Sequence, residues 1–307
     1  MPSKAFVFCY TAYSLVTVPA RLVVVAVYNI PRFLRPNAAW SYKTAFYKGI
    51  TCSVPEVEPL SIGAFWFPEA PAKPPQQLII YFYPGAYMMF GSRPSKTGDP
   101  ALAIQYRLSQ DKKTTFPAAL QDGITAYIYA LEILKIPPSQ ITFAGESAGG
   151  NLVMALLCYI NEETPMLPLS CCAILSSPWV DLSSKAIKNV PLNRNYNTDF
   201  IKQNFLDWGR KAFTPERWDS SNSWITFLGN ETQLDIPVFV NTGTSEVLYD
   251  DIMKFAENLR EKGNEVEVLE SLNAAYVPYR LGKNWNMEEA QAICLKTMTK
   301  FLEKTGV

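Results

Sequence analysis

The chain has 307 residues, 48% of them apolar and 18% charged, enough for one large core with a small cap. Lys+Arg and Asp+Glu balance at 28 each, so there is no electrostatic footprint for DNA or RNA, and no nucleic-acid partner is expected. Histidine is absent altogether, so a metal site would have to be built from thiolates and carboxylates alone. The six cysteines, Cys9, Cys52, Cys158, Cys171, Cys172 and Cys294, contain no Cys-x-x-Cys pair. They read as buried free thiols of a reducing compartment, and neither a metal nor any other cofactor is expected.

Residues 5–30 are almost wholly apolar, interrupted by Pro19 and Arg21. That is about the length of a membrane span, although an arginine at mid-bilayer costs about 2.5–3.5 kcal/mol. Two readings stay open for this part of the N-terminal segment, residues 1–50: a helix lying on or in a membrane, or an apolar cap over the mouth of a site. The expected location is intracellular, either cytoplasmic or membrane-associated, the endoplasmic reticulum included.

Next come a strand near 62–67 and a Pro-rich connector from Pro68 to Pro75. The run Leu78-Ile79-Ile80-Tyr81-Phe82-Tyr83 is continuous apolar, as in a strand covered on both faces, and Pro84-Gly85 ends it with turn chemistry. Apolar residues at helical spacing predict a helix over 118–134. A short strand, 141–144, runs straight into Gly145-Glu146-Ser147-Ala148-Gly149-Gly150, and a helix follows over 151–160. Further strands are predicted at 172–175, 238–241 and 265–269, with helices at 250–262 and 287–304. Strands alternating with helices give an α/β chain with a mostly parallel sheet and helices on both faces. Residues 183–227 have no strand pattern and read as a helical cap inserted into a single domain spanning 1–307.

Gly145-Glu146-Ser147-Ala148-Gly149 fits Gly-x-Ser-x-Gly, the strained strand-to-helix turn that lifts a serine above a sheet. The flanking glycines answer a backbone-on-backbone approach that leaves no room for a Cβ. The five residues alone are a weak signal. Set between a β-branched strand and an apolar helix they are a strong one.

On these residues, with Asn151-Leu152, Phe116-Pro117-Ala118-Ala119-Leu120-Gln121-Asp122, Ser177-Pro178-Trp179-Val180-Asp181-Leu182 and Gly243-Thr244-Ser245-Glu246-Val247-Leu248-Tyr249-Asp250, the chain resembles the hormone-sensitive-lipase-like branch of the α/β-hydrolase family, particularly its fungal members. The resemblance covers roughly residues 78–307. It implies the α/β-hydrolase fold with a nucleophile at Ser147 and an acid at Glu246. It also implies oxyanion amides at Gly85, Ala86 and Ala148, where Tyr83-Pro84-Gly85-Ala86 stands in place of the family's His-Gly-Gly-Gly. Tyr276, in Asn273-Ala274-Ala275-Tyr276-Val277-Pro278, falls at the family's histidine position. Tyr83, Tyr87 and Tyr276 are the aromatic candidates for binding or guiding a ligand.

A serine hydroxyl is inert near neutral pH unless a neighbour takes its proton. With a reference pKa of about 10, only about one part in 10³ of a tyrosine is phenolate there. The resulting expectation is an enzyme that kept the hydrolase pocket but uses it on a small apolar, natural-product-type molecule. It would guide a cyclisation, pericyclic or elimination step through position and hydrogen bonds. The alternatives are a carboxylic ester hydrolase with an unconventional base, and a catalytically silent module that binds an apolar ligand.

Overall fold

The computed structural model describes residues 62–67, 69–89, 101–164, 167–216, 218–282 and 286–306. The N-terminal segment, residues 1–50, and its apolar stretch 5–30 lie outside the described residues. Among the described residues no helix is long and apolar enough to cross a membrane.

Seven strands make one sheet in the order β1-β3-β2-β4-β5-β6-β7. These are β1 (Gly63–Phe67), β2 (Leu78–Phe82), β3 (Ala101–Gln105), β4 (Ile141–Glu146), β5 (Cys172–Ser176), β6 (Val238–Gly243) and β7 (Val266–Ser271). Only β1 runs antiparallel, against β3, with Phe67 opposite Ala101. Every residue of β2, β4, β5 and β6 is buried, as continuous apolar runs require when helices cover both faces. The antiparallel edge strand β1 is largely exposed.

The helices follow the strands in chain order. They are α1 (Ala118–Glu132), α2 (Ala148–Glu163), α3 (Ser184–Asn189), α4 (Gln203–Phe213), α5 (Tyr249–Glu261), α6 (Pro278–Leu281) and α7 (Glu288–Thr305). Residues 183–227 carry α3 and α4, and no strand among the described residues. At the start of α1, the buried Asp122 accepts from the Arg107 backbone N–H at 2.7 Å and pairs with its guanidinium at 2.9 Å. That contact ties the helix lead-in to the chain leaving β3.

The departures from the sequence reading are local. β3 was not expected, because Ala-Leu-Ala-Ile-Gln carries one β-branched residue and no turn signal of its own. Helix α2 starts at Ala148 rather than Asn151, since the glycines after Ser147 already take helical geometry. The short helix α6, with Pro278 at its first position, was also missed.

Because β4 is the central strand, its carboxyl end lies midway along the edge of the sheet where open α/β folds place their ligands. Ser147 comes directly after it.

Candidate active site

Ser147 has φ 55° and ψ −116°, a conformation L-residues rarely adopt, between the last residue of β4 and the first of α2. The surroundings hold it there. Its N–H donates to Ser176 O at 3.0 Å, and its carbonyl accepts from Trp179 N and Asn151 N, each at 3.0 Å. Gly149 shows why the motif needs glycine: a Cβ there would sit 2.1 Å from Phe82 O. Strand β2 and the first turn of α2 therefore touch backbone to backbone.

The loop after β2 lies against this turn. Asn151 fastens it, accepting from Tyr87 Oη at 2.7 Å while its amide donates to Trp179 O and Ile225 O at 2.9 and 2.8 Å. Gly85, Ala86 and Tyr87 have φ of 126°, 52° and 62°. Ala86 thus keeps the left-handed conformation that a glycine takes more easily. No acceptor among the described residues takes the N–H of Gly85, Ala86 or Ala148.

Two of the expected binding residues are engaged elsewhere. Tyr83 donates to Tyr106 O at 3.0 Å, and its ring stacks on Tyr106 with centroids 4.1 Å apart. Tyr87 is fully buried, stacked on Phe213 at 3.6 Å, with its hydroxyl on Asn151. Both tyrosines shape the loop from within the core and present no hydroxyl to a ligand.

Tyr276 does face Ser147: the serine hydroxyl is among the groups around its phenol and would favour the phenolate. The ring is buried, edge-on to Phe200 at 5.6 Å. Burial lifts this phenol well above its ordinary pKa, and the neighbouring charges of Glu146 and Glu246 push the same way. It is a neutral hydrogen-bonding group at any physiological pH.

Glu246 sits beside this pair without hydrogen-bonding Tyr276. It is fully buried; Thr242 donates to Oε1, and Ser177 donates to Oε2 at 2.7 Å. The Val277 N–H in turn donates to Ser177 Oγ at 3.2 Å, so Ser177 joins the acid loop to the Tyr276 loop. The two loops are pressed together at Gly243, where a Cβ would fall 2.4 Å from Ala274 O. The segment between β5 and β6 supplies further ties: Asn195 Nδ2 donates to Glu246 O at 2.9 Å, and Asp199 accepts from Val247 N at 2.8 Å.

Burial pushes the Glu246 carboxyl up from 4.5 to about 8, against its hydrogen bonds from Thr242 and Ser177. Between those two values the native state holds a proton that the unfolded chain has released. Stability from this group is therefore greatest below the window and falls as pH rises through it, by at most about 1.4 kcal/mol per pH unit. Glu246→Gln keeps a neutral group of the same shape that accepts from one of the two hydroxyls and donates to the other. Urea midpoints measured across the window should fall with pH in the parent and fall less steeply in the variant.

Neighbours on a tight elbow point in different directions, as the sequence leads one to expect of Glu146, but its partners carry no sequence signal. Glu146 points away from Ser147 into a buried cluster, accepting from Tyr81 Oη at 3.0 Å, Tyr279 Oη at 2.8 Å and Arg280 at 3.0 Å. Burial raises its pKa and outweighs the Arg280 cation that lowers it. The cluster anchors α6, and with it the loop that carries Tyr276, to the end of β4. Among the described residues no three Cys, Asp or Glu side chains come together as a metal site.

This fold and this turn define a class. Residues 94–277 match the family model described as the alpha/beta hydrolase fold, and the chain belongs to that family. An acetyl-hydrolase of Streptomyces hygroscopicus is 27% identical over 209 residues, 64% of this chain and 66% of that protein. An esterase of Acinetobacter venetianus is 24% identical over 201 residues, 62% of this chain and 63% of that protein. The match thus spans less than two thirds of either relative's own length. Among solved structures, an esterase from the bacterial hormone-sensitive lipase family superposes with a TM-score of 0.65 at 20% identity, covering 93% of this chain and 98% of that one. An esterase/lipase from an uncultured bacterium superposes with a TM-score of 0.63 at 20% identity, covering 92% and 98%.

Proposed function

We propose that the protein acts on carboxylic esters, with Ser147 as nucleophile and the amides of Gly85, Ala86 and Ala148 facing the acyl oxygen, and that it does so slowly. The observation that carries the reading is the strained turn at Ser147 beside three N–H groups without an acceptor among the described residues. A backbone arrangement of that kind stabilises the charge that develops on a carbonyl oxygen under attack. The names of the relatives, esterase and acetyl-hydrolase, point to the same chemistry. This places the earlier alternative, ester hydrolysis, ahead of a cyclisation or elimination.

The rate is held down by the proton. Tyr276 occupies the position of the family's histidine, and a neutral phenol with a raised pKa does not accept the serine proton. Glu246 has both oxygens engaged by Thr242 and Ser177. As Ser147 attacks the acyl carbon, its proton passes to water, and the alkoxide or phenoxide departs when the tetrahedral adduct collapses. Water then hydrolyses the acyl-serine.

The expected result with a short-chain aryl ester is turnover well below the usual enzyme range of roughly 1–10³ per second. That turnover should vanish in Ser147→Ala. Hydrolysis above the buffer rate that survives Ser147→Ala would overturn the assignment. A second reading, a non-hydrolytic step on a small apolar molecule, is favoured by one observation: the Ser147–Tyr276 contact is a pair of hydrogen-bond donors with no base. Binding of aryl esters without acylation of Ser147, read by intact-protein mass, would select that reading.

A further inference from the structure

At the opposite end of the sheet from Ser147, where β5 begins, two adjacent cysteines turn their sulfurs toward each other. Cys171 Sγ and Cys172 Sγ are 3.6 Å apart. Adjacent residues of a regular strand point to opposite faces, so this contact exists because Cys171 lies just before β5, in a bend. The Thr142 hydroxyl lies between the two sulfurs, 3.6 Å from Cys171 and 3.4 Å from Cys172. Ile141 O accepts from the Cys171 thiol at 3.0 Å, and Thr305 Oγ1 donates to Cys172 Sγ at 3.7 Å. Cys171 is partly open to solvent, whereas Cys172 is fully buried.

We propose that Cys171 and Cys172 form a peroxide-sensitive dithiol, with Cys171 the attacked sulfur and Cys172 the resolving one. Nothing in the ester chemistry at Ser147 uses either residue. The reading rests on the placement of the sulfurs. One is reachable from solvent, the other is already in contact with it, and a hydroxyl stands ready to hydrogen-bond a thiolate. In the ionised form of Cys171 the contact to Ile141 O is given up, and the Cys172 thiol and Thr142 hydroxyl donate to the sulfur, lowering the Cys171 pKa. The hydrogen bond to Cys171, together with burial, keeps Cys172 protonated. Low thiolate pKa, access and a neighbouring thiol are the features of a sensor cysteine.

The chemistry balances with a hydroperoxide as oxidant. The Cys171 thiolate attacks the distal peroxide oxygen, the O–O bond breaks and the alkoxide or hydroxide leaves. The sulfur is oxidised to a sulfenic acid as the peroxide is reduced. The Cys172 sulfur then attacks Cys171, an S–S bond forms, and the sulfenic hydroxyl leaves with the Cys172 proton as water. The product is a disulfide between neighbouring residues, two hydrogens lighter than the dithiol. A dithiol reductant restores it.

The experiment treats the full chain with hydrogen peroxide, alkylates the remaining thiols and maps the peptides. The peptide carrying both residues should lose two hydrogens and recover them on reduction. Buried Cys158 and Cys294, the latter pushed up to about 12 by burial, should remain alkylatable only after unfolding. In Cys172→Ser the sulfenic acid should persist and be trapped on Cys171 by a cyclic 1,3-diketone. In Thr142→Val, which keeps the side-chain shape, formation of the disulfide should slow several-fold. Two free thiols after a peroxide dose that oxidises a free-cysteine standard would overturn the proposal. So would a disulfide from either sulfur to Cys9, Cys52 or a second chain.

Discussion

Tyr276→His should raise aryl-ester turnover by roughly 10²-fold, the lower part of what a positioned general base supplies. The phenol of Tyr276 faces the Ser147 hydroxyl, so position 276 addresses the nucleophile. Imidazole has the basicity that the phenol lacks, but it is shorter, and its nitrogen stops short of the place where the phenol oxygen sits. A water must bridge the gap, which keeps the gain below that of a complete triad. The sequence alone argues for a still smaller gain, because Pro84 and Ala86 replace two glycines of the family's oxyanion loop. The left-handed geometry at Ala86 removes that objection, since the loop keeps a glycine-like path. The gain should follow a titration near pH 6.5, the ordinary histidine value, and should vanish when Ser147→Ala is added. A Tyr276→His variant that folds and gains nothing would mean that the acyl site itself has changed, and would favour the non-hydrolytic reading.

Gly149→Ala should abolish folding, or reduce stability by more than about 4 kcal/mol, the rare upper end for a single substitution. Its Cβ would lie 2.1 Å from Phe82 O, 2.6 Å from Phe82 C and 2.8 Å from Tyr83 O, all backbone atoms of the strand exit. Neither β2 nor α2 can retreat, because the strand pairs with β4 over its whole length and the helix is buried from Ala148 to Ile160. A fair control is Gly263→Ala, where the Cβ meets nothing within 4 Å and only the backbone conformation at φ +89° is strained. It should lose about 1–2 kcal/mol. Soluble yield and thermal unfolding of the two variants separate the backbone clash from the conformational effect.

The elements that declare themselves locally were readable in the sequence: the apolar run of β2, the turn at Ser147, the periodic helices α1, α5 and α7. Chain order and the loop after β7 led one to expect Tyr276 near Ser147, and the serine hydroxyl is among the groups around its phenol. What escaped were contacts between residues far apart in the chain. Glu146 finds Tyr279 and Arg280 across more than 130 positions, and no local pattern marks either as its partner. Ser177 was visible as part of a motif, but its role as the bridge between Glu246 and Val277 exists only in three dimensions. Tyr83 and Tyr87 were misjudged for the same reason. An aromatic residue beside a nucleophile suggests a binding wall, and the partners that draw both hydroxyls inward, Tyr106 and Asn151, lie on other elements. Cys171 and Cys172 looked like inert core thiols, because a bend before a strand cannot be read from two identical letters.

Trp179 gives the site an optical reporter of its own. Its backbone N–H holds the Ser147 carbonyl at 3.0 Å, while its indole is almost fully buried and Nε1 has no hydrogen-bond partner among the described residues. An indole shut away from water and from hydrogen bonds emits towards the blue and resists quenchers dissolved in the solvent. Trp208, 45% exposed on α4, emits further to the red and is quenched first. Trp66, Trp218 and Trp224, all partly exposed, add to the emission, so the buried Trp179 component stands alone only in a variant that replaces the other tryptophans.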